Sequence, residues 1–446
     1  MSDSHDDLPP SEPISRLVKP IVRFLHVEAA SGGVLLVATI VALILANSPA
    51  AAWVEHFWQT PLSVAAGKFA FQLTIEQFIN DGLMAVFFFV VGLEVKRELV
   101  LGELRDVRRA ALPIAAALGG MIVPAGIYLA LQSGQPGERG WGIPMATDIA
   151  FVVGCLSVMG SRVPHGLRVM MLTLAIADDI GAILVIAIGY SDGIHWNWLL
   201  AGLAGLVVVW GFSRLGVRSF MAYIVAGIFV WFAFHESGIH ATIAGVILGI
   251  MTPARSSVRV DRVKASLNRI DQLFQEDSQH TPHRADKLNR FRHAARELVS
   301  PLEFLIHQLH PWVSFVTMPV FALANAGVAV RIQQIGSPIA VAVLAGLVIG
   351  KVLGIVLFSW LAVKLRVARL PDGVDLWCLL AGGLLGGIGF TMALFIASLA
   401  LESHHLPEAK VGILVGSAIS AIAGMLVLAM RPRPESPAQQ LQESRP

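Results

Sequence analysis

The chain has 446 residues, is 55% hydrophobic and only 14% charged, and carries a formal net charge of +2. A soluble globular protein is about 25% charged, so this composition argues against a soluble enzyme, and the near-neutral balance gives no reason to expect a nucleic-acid partner. The two cysteines, Cys155 and Cys378, lie inside apolar runs and read as small buried hydrophobes, not as a disulfide or a metal site.

The 1–28 segment opens MSDSHDDLPP and is polar and acidic. It has no basic region leading into an apolar core, so no cleaved signal peptide is expected, and it lacks the glycine needed for myristoylation. Twelve apolar runs follow, predicting an all-α transmembrane domain over 29–430. The expected spans are 29–46, 79–95, 110–131, 141–159, 169–189, 196–212, 220–234, 239–251, 312–330, 338–363, 376–401 and 411–430. A long loop at 47–74, carrying Trp53, Trp58 and Pro61, separates the first two. A long charged loop at 253–301 separates the eighth and ninth. Within it Leu267, Ile270 and Phe274, and then Leu288, Phe291, Ala295 and Leu298, recur at helical spacing and predict two amphipathic helices. A solvated connector and a regulatory or docking element both fit that pattern. The 431–446 tail, RPRPESPAQQLQESRP, is polar and proline-rich and is expected to be disordered.

Basic residues orient the spans. With both termini in the cytoplasm, most of the 33 lysines and arginines fall in inner segments. The outer segments hold only Lys68, Arg139, Arg331 and Lys410, and Lys351 lies within a span. An error of one span would scramble this asymmetry, so it supports the number of spans as well as their direction.

The fifth span reads VMMLTLAIADDIGAILVIAIG, with Asp178 and Asp179 at its middle and no other charge. A charge at the bilayer centre costs about 2.5–3.5 kcal/mol on insertion scales. Such residues face a cavity and handle ions or protons. Two other spans are interrupted. The fourth contains GIPMATDIAF, in which Pro144 lacks a backbone donor and Gly142, Thr147 and Asp148 are poor helix-interior residues. The eleventh contains AGGLLGGIGFTMALF, rich in glycine up to Thr391. Each interrupted span is second in a run of three, 110–189 and 338–430, and the two runs start from opposite sides of the membrane. Paired broken helices in inverted repeats mark an ion site at the midplane. Glycines that merely allow close helix packing do not account for Asp148 at the break.

The strings FINDGLMAVFFFVVGLEVKREL, PMATDIAF, LAIADDIGAI, SGIHATIAGV, LHPW, FALANAGV, IGKVLGI and GIGFTMALFI occur in one order from the second span to the eleventh. In this the chain closely resembles the NhaA family of sodium/proton antiporters. The resemblance implies inverted repeats with two interrupted helices crossing near the membrane centre. It implies that Asp179 and Asp178 carry the cation and protons, with Na+ held by Asp179, Asp178 and Thr147. Thr147 and Asp148 would be the polar residues of the unwound crossing, and Lys351 the lysine facing it. Glu94, Arg97 and Glu98 would belong to a cytoplasmic pH-response cluster. His240 would also respond to pH, and Asp81 takes an acidic position of the second span. The 47–74 loop would be a β-hairpin joining two subunits in a bacterial inner membrane. The transported ions would be Na+, Li+ and H+, with no cofactor. The family's acidic residue before LHPW is missing: Ile306 stands there, and the nearest acid is Glu303. The loop at 253–301 is also longer than the family's.

Elementary chemistry agrees with that picture. Sodium and lithium prefer oxygen ligands, and a carboxylate cannot serve a proton and a cation equally well, so the two compete. Adjacent helix residues point about 100° apart, which predicts different jobs for the two aspartates: the cation at Asp179, a proton and the Lys351 partnership at Asp178. One cation exchanged at two titrating groups moves unequal charge, predicting electrogenic exchange; the second proton belongs to Asp178 or Lys351. Asp148 is expected to offset helix dipoles or to ligate the cation directly. Without the resemblance, Glu94, Arg97 and Glu98 read as an interfacial salt-bridge cluster. The rival functions are a sodium-coupled solute symporter of related fold, an intramembrane aspartyl protease and a channel. The symporter needs a polar cavity for an organic substrate. The protease needs two carboxylates sharing a proton, and its GxGD string is absent.

Overall fold

The structure is a computed structural model that describes residues 28–66, 69–191, 193–215, 217, 220–254, 300–329 and 332–431. The two amphipathic helices expected within 253–301 and the disorder expected of the tail lie outside the described residues, apart from the ends of those segments.

The first helix, α1 (Glu28–Ala46), is followed by a short exposed helix, α2 (Ala51–Trp58), turned by 115°. Strands β1 (Pro61–Ala66) and β2 (Phe69–Thr74) then pair antiparallel, from Pro61↔Thr74 to Ala66↔Phe69. The β-hairpin expected in the 47–74 loop is therefore present. Thr74 ends it and starts α3 (Ile75–Val100) with a capping box to Gln77. A π-turn at Ile79–Leu83 interrupts α3. Next come α4 (Val107–Gln132), a 3-10 segment (Glu138–Met145), α5 (Ile149–Met159) and α6 (His165–Gly189). Helices α7 (Trp196–Leu215), α8 (Phe220–Glu236) and α9 (Thr242–Met251) complete the first part.

After the long loop, α10 starts at Pro301–Trp312, continues through a π-turn at Val313–Thr317 and ends as Met318–Asn325. The ninth span was expected to start at residue 312, at the tryptophan after Pro311. Instead Ser300 caps a helix at Pro301, accepting from the Glu303 N–H at 3.2 Å, and Pro311 is carried inside the helix. The polar residues Glu303, His307, Gln308 and His310 hid this amphipathic first part from a hydropathy reading. Helix α11 (Pro338–Lys364) begins with Ser337 as its cap. Helices α12 (Leu376–Gly386) and α13 (Phe390–Ala400) meet at a short break with a bend of 45°, and α14 (Leu406–Met430) is the last described helix.

Among the described residues, seven helices are long and apolar enough to cross a membrane alone, or up to nine if each bent pair is one span. The apolar α8 and α9 are shorter. Large apolar side chains such as Ile188 and Leu215, each 83% exposed, cover the outside of the helices. In water such a surface would be unstable; against lipid it is the ordinary one.

The two runs of spans around the breaks pack on each other mainly through α4 against α11. Gly119 and Gly354 make this possible: a Cβ on either would strike the other's carbonyl oxygen. That is close backbone approach at small residues, the usual basis of helix association in lipid. Helices α3 and α9 form the other intimate pair, with α7, α8 and α10 beside them. The main buried core runs through both groups, from Phe88 and Leu112 to Phe321 and Phe395.

Candidate functional site

Pro144, which has no N–H to donate, lies one residue before the 3-10 segment stops at Met145. Residues 146–148 then leave the helix, and α5 restarts behind Asp148. In the second repeat, α12 stops at Gly386 and α13 restarts at Phe390. Gly387 is required at this break, because a Cβ there would strike the Leu347 carbonyl oxygen. The two breaks meet: the Asp148 N–H donates to the Ile388 carbonyl at 2.7 Å. The breaks in the two interrupted spans, 141–159 and 376–401, thus lie against each other.

Each exposed helix end at this crossing has a polar partner. Asp148 is 1% exposed, and its carboxylate caps α5 by accepting from the Phe151 N–H at 3.3 Å. Its other oxygen accepts from the Thr391 N–H at 3.1 Å and makes a close hydrogen bond with the Thr391 hydroxyl. One carboxylate therefore faces the positive N-terminal ends of both α5 and α13. The N–H of Phe390 donates to Ser417 Oγ of α14 at 3.1 Å. On the opposite polarity, the Thr147 hydroxyl donates to the Gly386 carbonyl, the last of α12, at 2.8 Å.

Lys351 is wholly buried. Its ammonium donates to Thr147 Oγ1 at 2.9 Å and to Asp178 Oδ2 at 2.7 Å. The chain Lys351–Thr147–Gly386 carries positive charge to the C-terminal end of α12 through one hydroxyl. Asp178 Oδ1, also buried, has no hydrogen-bond partner among the described residues. Asp179 is 3% exposed, and no described side chain donates to it. Its charged neighbours are Asp178, Glu94, Asp148 and Lys351. The crossing thus brings together all five predicted transport residues: Asp178, Asp179, Lys351, Asp148 and Thr147. Lysine already holds Thr147 and one oxygen of Asp178, so the open oxygens are those of Asp179 and Asp178 Oδ1. The Asp148 oxygens serve the two helix ends, which leaves no proton-sharing pair of the kind a protease needs.

The peripheral candidates divide in two. At the far end of α3, Arg97 lies 3.6 Å from Glu98, and Glu98 accepts from the Glu103 N–H at 3.1 Å. Glu94, a turn further in, lies 3.8 Å from His310 Nε2. Ile306 packs with Leu93 and Leu302 where an acid was expected. A cavity of about 860 Å³ opens here, lined by Glu98, Glu103, Asp106, Arg105, Arg108 and, on α6, Leu172 and Thr173. Asp81 and His240 lie elsewhere, in the other half of α3 and in the turn between α8 and α9, with His240 Nε2 3.9 Å from Asp81 Oδ1. The structure separates these two from Glu94, Arg97 and Glu98.

Thr391, Ser417, His310 and His235 were not among the predicted site residues. Thr391 had a signal: it follows the break in the second repeat as Asp148 does in the first. Ser417 and His235 are single polar residues whose contacts come from distant helices, and no local pattern announces them; His310 lies within the LHPW string, which did not point to Glu94.

A family profile described as Na+/H+ antiporter 1 matches residues 22–428. The chain is 55% identical over 427 residues to the Na(+)/H(+) antiporter NhaA of Rhodopirellula baltica, covering 95% of this chain and 97% of that one. It is 50% identical over 436 residues to the NhaA of Rhizobium meliloti, covering 97% and 99%. It is 44% identical over 445 residues to the NhaA of Oleidesulfovibrio alaskensis, again 97% and 99%.

Proposed function

The chain belongs to the Na+/H+ antiporter 1 family, and from that premise we propose that it exchanges sodium or lithium for protons by alternating access at Asp178 and Asp179. The observation that carries this reading is the unequal pairing of two adjacent buried carboxylates: Lys351 holds Asp178 Oδ2 at 2.7 Å, while Asp179 has no donor among the described residues. An unpaired buried carboxylate is costly. A proton or a hard cation relieves that cost equally, and the two exclude each other. This makes Asp179 the exchanging group.

A cation at Asp179 takes its next oxygen from Asp178 Oδ1. Further approach draws Asp178 away from Lys351, so cation binding and the lysine pair compete. The proton-loaded carrier then holds protons on Asp179 and on the Asp178–Lys351 pair, whose titration is shared. The sodium-loaded carrier holds one cation. The two legs differ in charge, so exchange is electrogenic and proton influx drives sodium out. Asp148 and Thr147 keep the broken ends polarised; Asp148 acts on helix ends rather than as a ligand.

The cavity beside α6 suits the inner mouth. Leu172 lines it, and Leu172 and Asp179 are seven residues apart, on one face and about 10 Å apart along the helix. Glu98 lines that mouth, Arg97 lies 3.6 Å from it and Glu94 is a turn further in, so the three are placed to bias ion access with pH. The protein is a multi-pass membrane protein; the basic-residue asymmetry supports both termini in the cytoplasm, and the family resemblance implies a bacterial inner membrane. Strands β1 and β2 form a two-stranded sheet with no further strand on it among the described residues, suited to pairing with a second copy as a homodimer.

Calorimetric sodium titration of the purified protein, in two buffers of different ionisation enthalpy, tests this. Proton release between one and two per sodium at pH 8, lost in Asp179→Asn, is the expected result. Sodium binding without proton release would refute it.

A further inference from the structure

Lys351 lies where two helix irregularities face each other. In α11 a π-turn at Gly346–Gly350 leads into Lys351, whose N–H donates to the Gly346 carbonyl five residues back. Such a turn holds one residue more than a regular one and recurs at functional positions. In α4, Pro124 stands inside the helix. It has no N–H, so the Gly120 carbonyl lacks the donor that would lie four residues on. No backbone group of another element donates to that carbonyl among the described residues. The two irregularities touch. A Cβ on Gly350 would lie 2.7 Å from Pro124 Cα, and one on Gly346 would lie 3.4 Å from the Pro124 carbonyl oxygen.

The lysine stem already runs past this spot. Its Cδ lies 3.6 Å from where a Cβ of Gly120 would stand, and glycine there keeps the way clear. Helices α4 and α11 are antiparallel, since Gly119 meets Gly354 while Pro124 meets Gly350. A helical side chain leans toward the N-terminus of its own helix, and a helical carbonyl points toward the C-terminus of its own. In an antiparallel pair those directions coincide. The Lys351 stem and the Gly120 carbonyl therefore both point toward Pro124.

Each group needs what the other has. The Lys351 ammonium is wholly buried and bonded to Asp178 and Thr147. Cation binding takes Asp178 away, and a buried ammonium that loses one acceptor needs another. A carbonyl freed by proline in a membrane helix needs a donor. We propose that the Gly120 carbonyl is the second acceptor of Lys351, taken up when a cation draws Asp178 away, with Pro124 keeping the carbonyl free and the π-turn giving α11 the slack for the lysine to swing. This deepens the exchange reading above and rests on it. Pro113, the other proline inside α4, lies about three turns away and has no such role.

The experiment measures sodium affinity by calorimetry on the purified full chain, together with resistance to unfolding by denaturing detergent. Pro124→Ala returns an N–H to the Gly120 carbonyl. It should resist unfolding at least as well as wild type, because proline inside a helix is unfavourable. It should bind sodium about tenfold more weakly, the contribution of one hydrogen bond to a charged group. Pro113→Ala should keep wild-type sodium affinity. Deleting Ile349, an exposed residue of the π-turn, closes the turn and should weaken sodium binding likewise, whereas Ile349→Ala should not. In reconstituted vesicles the KM for sodium should rise in Pro124→Ala while kcat stays close to wild type.

Wild-type affinity in Pro124→Ala, or an equal loss in Pro113→Ala, overturns the proposal. So does a fall in kcat with KM unchanged, which marks a structural lesion. If Pro124→Ala does not fold, the Ile349 deletion decides by the same criterion. If neither folds, the irregularities serve the fold itself and the proposal fails. A wild type that binds no sodium sinks the exchange reading, and this proposal with it.

Discussion

Replacing Lys351 by methionine removes the one cation that touches Asp178 among the described residues. In the wild type the ammonium makes two hydrogen bonds, at 2.7 Å to Asp178 Oδ2 and 2.9 Å to Thr147 Oγ1, and both pair members are wholly buried. Asp178 Oδ1 already lacks a partner among the described residues, so the variant leaves a buried carboxylate with neither oxygen satisfied. Breaking a buried pair from one side costs about 3–5 kcal/mol. Removing both charges, as in Lys351→Met with Asp178→Asn, takes away the unpaired charge and leaves mainly a lost hydrogen bond at Thr147, about 1 kcal/mol. The double variant is therefore expected to be more stable than Lys351→Met alone, although neither transports normally. Unfolding of the purified proteins at pH 8 by rising denaturing detergent measures this. A Lys351→Met protein as stable as wild type, or a double variant no better than it, would refute the reasoning about the pair.

Thr391→Val deletes the hydroxyl bonded to Asp148 while leaving the backbone N–H contact. It should cost about 1.5–3 kcal/mol in the same unfolding assay and leave sodium affinity within a few-fold, whereas a large loss of affinity would make Asp148 a ligand. Gly354→Ala puts a Cβ into the Gly119 carbonyl and should lower the folded yield and stability strongly; a wild-type-like protein would show that α4 and α11 can separate freely. Asp375 caps α12 in the loop before it. Its partial burial pushes its pKa up, but hydrogen bonds from Cys378 and the Arg431 guanidinium, 3.1 Å away, outweigh this and hold it below the usual carboxylate range. That contribution is present above the unfolded value of about 3.9 and is lost as pH falls through the depressed one. Asp375→Asn should therefore be less stable than wild type at pH 6, and the gap should close below about pH 4; an unchanged gap would contradict the assignment.

Much of this site was legible in the sequence because lipid makes polar residues conspicuous. Asp178, Asp179 and Lys351 stand out as charges within apolar runs, and Pro144 and the glycines up to Gly389 mark the breaks. The pairing of Lys351 with Asp178 follows from the need of one buried charge for another. What could not be read is which oxygen goes where. Nothing local says that the second Asp148 oxygen is consumed at the end of α13, or that Thr147 relays Lys351 to Gly386, because those contacts span 204 to 243 residues. The early start of α10 was missed for the opposite reason. Its first turns are amphipathic, and Pro311, a common boundary signal, lies within the helix. His235 gave no signal at all, being one polar residue at the end of an apolar helix.

The most direct test of the account is cation-induced collapse of a pH gradient in reconstituted vesicles, for wild type and Asp179→Asn. Sodium and lithium should collapse the gradient in wild type, potassium should not, and Asp179→Asn should be inert while remaining folded. No collapse by wild type at any pH from 6 to 9, or full activity in Asp179→Asn, would contradict exchange through the aspartate pair.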